Sequence, residues 1–140
     1  MDKDIQIKFV RSWSEEDIVS LYKIGGWWKE SYDSSYISHM IIGSFVFAVV
    51  VDTIKDKAIG MGRVISDGVS DAYIQDLIVI PEYRNRGIGK TLVQTLIEYC
   101  RSKKIVWIGL IAEPGSEEFY ADLGLKPMKG HIPMLYIGKE

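Results

Sequence analysis

The stretch that decides the fold of this chain is LIVIPEYRNRGIGK, residues 77–90. An apolar, β-branched run meets Pro81, and a basic turn with glycines at Gly87 and Gly89 leads into a segment of helical period. Glycines let backbone N–H groups converge on an anion without a Cβ in the way. The helix N-terminus adds partial positive charge, and three side chains add full charges: Arg84, Arg86 and Lys90. The stretch therefore predicts a strand, a phosphate-binding turn and a helix.

Two common nucleotide-binding loops fit this turn poorly. Gly89-Lys90-Thr91 matches the end of a Walker A loop, but that loop requires glycine at position 84, where the chain has Arg84. A Rossmann loop requires a small residue at position 92, where Leu92 stands. A nucleotide-binding module that uses Gly89-Lys90-Thr91 is kept as an alternative.

The pattern that remains is Arg84-x-x-Gly87-x-Gly89, after a strand that ends in Val79-x-Pro81. It resembles motif A of the GNAT acyltransferase superfamily, whose members hold the pyrophosphate of acetyl-CoA with such a turn. The family's preceding strand end pairs with the pantetheine arm through main-chain groups, and one N–H polarises the thioester carbonyl. The resemblance implies acetyl-CoA as co-substrate, bound by Leu77, Ile78, Val79, Arg84, Asn85, Arg86, Gly87, Ile88, Gly89 and Lys90.

Length and composition limit the number of domains, the class of partner and the kinds of site that the chain can have. The chain has 140 residues, enough for one domain over residues 1–140. A net charge of −2 favours neither nucleic acid nor a membrane surface as a partner. One cysteine (Cys100) and two histidines make a disulfide impossible within the chain and a structural metal site unexpected. The longest apolar run is too short to span a bilayer, so we expect a soluble, cytoplasmic protein without a metal.

Strand and helix patterns alternate along the chain. Alternating or apolar segments predict strands over residues 5–10, 45–51, 58–65, 72–80, 105–112 and 132–137. Segments of helical period predict helices over residues 14–25, 34–42, 89–100 and 116–123. Ser14 is the expected N-cap of the first helix, and Gly124 is the expected terminator of the last. Residues 105–112 are apolar enough to predict a strand buried on both faces. The order β-α-α-β-β-β-α-β-α-β predicts a single-domain α/β fold with a mixed, mostly antiparallel sheet flanked by helices. It is also the order of the GNAT fold.

A second match to the family is EFYADLGL, residues 118–125. It resembles the family's F-Y-x-x-x-G-F segment, with Leu125 in place of the usual phenylalanine. In many such enzymes the tyrosine donates a proton to the departing CoA thiolate, so the resemblance implies Tyr120 as the general acid. The alternative is that Phe119 and Tyr120 only pack a short helix onto the core.

The proton acceptor is less clearly marked. Relatives with a glutamate twelve positions before the tyrosine would carry it at Ile108, so that base is absent. Asp76, next to the cofactor-binding strand end, is the predicted base or water-positioning residue, and Asp67 in a turn competes with it. Glu113-Pro114 stands where many relatives have an asparagine that contacts the cofactor.

Three aromatic residues follow the first predicted helix: Trp27, Trp28 and Tyr32. In GNAT enzymes the segment between the first two helices borders the acceptor pocket, and aromatics on a loop predict a binding wall. Such a wall encloses an aromatic amine or holds a cation over a ring face. The alternative is that one or both tryptophans anchor the core.

The resulting hypothesis is an N-acetyltransferase that transfers an acetyl group from acetyl-CoA to a primary amine by direct attack. The acceptor class is a small-molecule amine or a peptide amine, and the resemblance also implies a homodimer. Cys100 lies on the apolar helix face, which disfavours a covalent cysteine route. A non-catalytic acyl-CoA-binding sensor is the alternative, because the glutamate base is missing.

Overall fold

The computed structural model describes residues 1–138. Its strands are β1 (Ile5–Phe9), β2 (Val46–Asp52), β3 (Lys57–Ser66), β4 (Asp71–Val79) and β5 (Trp107–Gly109). Its α-helices are α1 (Glu15–Ile24), α2 (Tyr36–Gly43), α3 (Ile88–Ser102) and α4 (Glu117–Ala121), and a 3₁₀ helix spans Pro81–Tyr83. The chain forms two compact units, Met1–Leu110 and a second that begins at Ile111.

The first unit contains the five-stranded sheet, whose strands follow the sequence order from β1 to β5. The first four strands pair antiparallel, and β5 pairs with β4 in parallel. This mixed, mostly antiparallel sheet confirms the predicted fold class. All seven residues of β2 are buried, because helices cover both faces of the central strands.

Helices α1 and α3 cover opposite faces of the sheet. Gly62 of β3 lies against the side chains of Leu92 and Leu96 in α3, whereas Arg63 shares a carboxylate partner with Tyr22 of α1. Successive strand residues point to opposite faces, so the two helices are separated by the sheet. The predicted apolar stripe of α3 is confirmed, and burial of each of its large side chains contributes roughly 1.5–3 kcal/mol.

Local signals place the helix ends where the sequence predicts them. Ser14 caps α1 by accepting a hydrogen bond from the Asp17 N–H at 3.2 Å. Gly87 precedes α3 with φ +78°, a left-handed conformation that a residue with a Cβ adopts only at a cost. Ser14 and Gly87 each influence only the few residues next to them in the chain. The start of each helix can therefore be predicted from the sequence alone.

The prediction of a long β5 buried on both faces is wrong. The strand is three residues long and pairs with Asp71–Tyr73 of β4. Trp107 is 40% exposed, and the other two residues are half-buried. The ladder between β4 and β5 ends at the pair Tyr73 and Gly109, before the apolar run ends.

The predicted last strand, residues 132–137, is absent, and this expectation is also wrong. The segment lies in the second unit, and all of its side chains are exposed. Pro133 has no N–H to donate, which removes one donor from any ladder that this segment would form. In that unit α4 is the regular element, and Gly124 follows it with φ +89°, consistent with the helix terminator expected there.

A buried hydrogen bond ties the end of β2 to the 3₁₀ helix. The Tyr83 hydroxyl donates to Asp52 Oδ2, and Asp52 Oδ1 accepts from the N–H groups of Ile54 and Lys55 at 3.0 and 3.1 Å. The Tyr83 bond, followed by the Lys55 N–H, lowers the pKa of Asp52. Both side chains are 8% exposed, so the contact lies within the packed interior.

Asp52→Asn is predicted to flatten the acid dependence of stability. The pKa of Asp52 is lower in the folded chain than its ordinary value of about 3.9, so its contribution is full above that pH and is lost as pH falls below it. Urea unfolding at pH 7 and pH 3 should show a larger loss for the wild type than for Asp52→Asn. Asp71→Asn, at an exposed strand start, controls for the loss of one carboxylate. Equal losses in wild type and Asp52→Asn would contradict the prediction.

Candidate functional site

The predicted cofactor strand end lies where β4 has one partner strand. β4 pairs with β5 over Asp71–Tyr73 alone, whereas its pairing with β3 extends to Val79. Leu77, Ile78 and Val79 therefore lie beyond the parallel ladder, within the part of the chain that the structure describes. A strand with one unpaired edge offers main-chain groups to an extended ligand.

A β-bulge precedes this strand end. Met61 pairs with Ile78 and Arg63 with Gln75, so β4 carries one residue more than β3 between the two pairs. Asp76 occupies the bulge with φ +59°, in the left-handed region. On the facing strand, Gly62 makes room for Leu77, since a Cβ there would lie 2.6 Å from Leu77 Cδ2.

The Asp76 carboxylate is held by two donors. Arg63 Nε donates to Asp76 Oδ2 at 2.6 Å, and the Tyr22 hydroxyl donates to the same oxygen at 2.7 Å. The side chains of Arg63 and Asp76 are 16% and 20% exposed, so the ion pair is largely shielded from water. Burial, followed by the Asp76 charge, raises the pKa of Tyr22, which therefore remains a proton donor.

Sequence reasoning did not assign Arg63 and Tyr22 to the site. Two signals point to them in retrospect. Gly60 and Gly62 stand inside a strand, which marks a bulge or a close approach of another backbone. Arg63 is a charged residue in a mostly buried strand, where such a residue requires a partner.

The basic turn is shaped by contacts of its own arginines. Arg84 Nε donates to the Val79 carbonyl at 2.8 Å, which joins the turn to the cofactor strand end. The Arg86 guanidinium lies 5.1 Å from the centre of the Tyr83 ring, a cation–π contact. Asn85 and Gly87 have φ +64° and +78°, so two left-handed residues reverse the chain before α3.

The N-terminus of α3 has the features of an anion site. The helix is 15 residues long, and its N-cap residue, Gly87, has no side chain to bond to the first N–H groups. No atom lies within 4 Å of the position that a Cβ at Gly87 would occupy, so the approach to the turn is open. Ile88 is buried and anchors the first turn, with Gly89 and Lys90 next to it. Backbone donors, a positive helix end and open space fit a phosphate group.

The predicted acceptor-binding aromatics form a connected group through Tyr22. The ring centres of Tyr22 and Trp27 are 6.1 Å apart, and those of Tyr22 and Trp28 are 6.4 Å apart. Tyr32 meets Trp28 edge-on at 5.4 Å. Both tryptophans are half-buried against the core and Tyr32 is 40% exposed. Tyr22 also donates a hydrogen bond to Asp76, so it contacts both the predicted acceptor wall and the predicted base.

Tyr120, the predicted general acid, lies in the second unit, on α4. It is half-buried, and the Phe119 ring meets it edge-on at 5.0 Å. Burial, followed by the charge of Glu113, raises the pKa of Tyr120. The phenol is therefore protonated at neutral pH, as a proton donor must be.

Other kinds of site find no support in residues 1–138. No three His, Cys, Asp or Glu side chains there form a group able to hold a metal ion. Among the helices described, none has the length and apolar character needed to cross a bilayer.

A surface cavity of about 380 Å³ lies between α1 and the start of β3. It is lined by Glu16, Asp17, Glu82 and their neighbours, and none of the predicted site residues lines it.

Comparison with known proteins places this geometry in one family. A profile of the acetyltransferase (GNAT) family matches residues 8–125. "GCN5-related N-acetyltransferase 2, chloroplastic" of Arabidopsis thaliana is 40% identical over 72 residues, 51% of this chain and 28% of the plant protein. An "Uncharacterized N-acetyltransferase ycf52" of Pyropia yezoensis is 27% identical over 87% of this chain and 70% of its own length. A GNAT family acetyltransferase of Streptococcus pneumoniae TIGR4 superposes with a TM-score of 0.81 at 26% identity, covering 97% of this chain and 99% of its own.

Gly60→Ala is predicted to destabilise the fold beside the cofactor strand. A Cβ at Gly60 would lie 2.8 Å from the Ile78 carbonyl oxygen, a backbone atom that must move to accept it. The expected cost is about 1–3 kcal/mol in the free energy of unfolding, measured by urea denaturation. Gly43→Ala is the matched control, since a Cβ at that helix end meets no atom within 4 Å. Equal stabilities of the two variants would refute the close approach.

Proposed function

Because the chain belongs to the acetyltransferase (GNAT) family, we propose that it transfers an acetyl group from acetyl-CoA to a primary amine by direct attack. The observation that carries the proposal is the half-paired end of β4, which runs through a left-handed glycine turn into the N-terminus of α3. That combination offers main-chain groups to an extended arm and a positive end to a phosphate.

The donor supplies the acetyl group as a thioester, and the chain's own residues bind and orient it. Leu77, Ile78 and Val79 pair with the pantetheine arm through their main chain, and one of their N–H groups polarises the thioester carbonyl. Residues 84–90 take the pyrophosphate. Support comes from the Arg84–Val79 hydrogen bond, which links the two parts of the binding surface.

Proton transfers at the amine and at the leaving thiolate accompany the reaction. The acceptor ammonium loses a proton to Asp76, or to a water that Asp76 holds, before its nitrogen bonds to the acetyl carbon. Both donors of Asp76 use Oδ2, so proton transfer falls to Oδ1. The carbon–sulfur bond then breaks, and Tyr120 gives its proton to the departing thiolate. The amine nitrogen loses its second proton as the amide forms, and this proton restores the Tyr120 hydroxyl, directly or through water. Cys100 is fully buried and burial raises its pKa, which disfavours a cysteine nucleophile and supports direct attack.

The acceptor is a small-molecule or peptide amine that binds beside Trp27, Trp28 and Tyr32. The exposed side of Tyr32 and the half-buried tryptophans support a wall that an aromatic or cationic group contacts. A single domain over residues 1–140, a homodimer and a cytoplasmic location stay predictions from the sequence.

Release of free thiol from acetyl-CoA tests the proposal. The amines to offer are polyamines, arylalkylamines, aminoglycosides, amino acids and peptides with free N-termini, and CoA and ATP binding are measured in parallel by calorimetry. Thiol release with at least one amine supports acetyl transfer. CoA binding without thiol release from any amine favours the non-catalytic sensor, and ATP binding without CoA binding favours a nucleotide-binding module.

Tyr120→Phe is predicted to lower kcat by about ten- to several hundred-fold, because the variant lacks the proton that the thiolate receives. CoA affinity should change little, since the hydroxyl acts on the leaving sulfur. Steady-state kinetics with the best amine of the panel measures both effects. Tyr136→Phe, at an exposed position of the same unit, should leave kcat unchanged. A Tyr120→Phe enzyme with wild-type turnover would assign Tyr120 to packing alone.

A further inference from the structure

Asp76 has a strained backbone at a position that matters for the site. Its φ of +59° is rare for a residue with a Cβ, and within β4 it coincides with the extra residue of the bulge. Such a conformation persists where the surrounding structure over-determines it. The next residue is Leu77, the first of the predicted pantetheine-binding residues.

The side chain of Asp76 supplies the constraint. Arg63 of β3 and Tyr22 of α1 both donate to its Oδ2, so the carboxylate is fixed from two elements. Tyr22 is held in turn by Trp27 and Trp28. Asp76 is therefore linked through Tyr22 to the aromatic residues that follow α1. With two donors on one oxygen, its carboxylate has little freedom to move.

Arg63 has a second partner besides Asp76, at another nitrogen of its guanidinium. Its Nη1 lies 3.5 Å from Ser44 Oγ, and the Ser44 hydroxyl donates to the Met40 carbonyl at the end of α2 at 2.6 Å. The guanidinium thus joins β4 to the end of α2.

We propose that Asp76, held by Arg63 and Tyr22, is a positioning residue that fixes the main chain of Leu77–Val79 for the pantetheine arm of an acyl-CoA. This role is separate from proton transfer and rests on the proposed function, since it needs the arm to bind there. The hydrogen bonds hold the left-handed backbone of the bulge, and the bulge sets the course of the strand end that follows it.

Comparing CoA binding by Asp76→Gly and Asp76→Ala separates the two possible roles of Asp76. One role is to hold the left-handed backbone, and the other is to contact CoA through the carboxylate itself. Asp76→Ala keeps the Cβ that disfavours φ +59° and loses the anchor, so we expect CoA to bind about tenfold more weakly. Asp76→Gly adopts the same φ without a Cβ penalty, so its CoA affinity should stay within about threefold of the wild type. Calorimetry without any amine gives these affinities, so the acceptor does not enter.

Adenosine 3′,5′-bisphosphate is the matched probe, because it carries phosphates but no pantetheine arm. Its binding should be the same in the wild type and both variants, which also shows that the variants are folded. If bisphosphate affinity fell together with CoA affinity in Asp76→Ala, the effect would lie outside the strand end and the proposal would be overturned.

Arg63→Met and Tyr22→Phe test the anchors. Each should weaken CoA binding by about three- to tenfold in the wild-type background, and Arg63→Lys should recover part of the loss. Neither should have a further effect in the Asp76→Gly background, where no carboxylate is left to hold. Additive losses in that background would mean that the two residues only stabilise the fold.

Two further outcomes contradict the proposal. Asp76→Gly that binds CoA as weakly as Asp76→Ala would show that the carboxylate is required for itself, and Asp76→Ala with wild-type affinity would show that the anchor is unnecessary. Failure of the proposed function is distinct, because then the wild-type chain itself would not bind CoA.

Discussion

β4 is bonded to β3 as far as Val79 but to β5 over three residues only, and the candidate site depends on that difference. The ladder with β3 keeps the strand end in place, while its other edge has main-chain groups that no parallel partner uses in the described residues. The turn and α3 continue from this strand end through the 3₁₀ helix. The half-paired strand and the predicted phosphate-binding turn therefore belong to one continuous segment of chain.

The geometry around Asp76 joins features that the sequence suggested separately. The aromatic group after α1 and the carboxylate before the strand end meet at Tyr22, whose ring packs on the tryptophans and whose hydroxyl bonds to Asp76. Arg63 adds a positive charge at 2.6 Å. A half-buried carboxylate with an arginine and a tyrosine on one oxygen is well suited to hold a backbone, and in the proposed mechanism its second oxygen receives the proton of the acceptor.

Features that depend on neighbouring residues were predicted from the sequence, whereas features that depend on distant residues were not. The Ser14 cap, the Gly87 turn and the apolar face of α3 were predicted because each depends on residues within one or two helical turns. The strands over residues 105–112 and 132–137 were mispredicted because an apolar run shows only that a segment is able to pair. How many of its residues find a partner depends on a neighbouring strand, and here the pairing with β4 ends at Tyr73.

By itself, the sequence determined the left-handed glycine turn, the helix behind it and the family to which they point, because glycine conformations and helix starts are local properties. The tertiary structure alone decided the partners of Asp76, which come from 13 and 54 residues away, and it alone created the β4 bulge that sets Gly62 opposite Leu77. Such contacts leave no periodic trace in a sequence. They arise when separate strands and helices are packed to exclude water, and the packing selects which polar groups must meet.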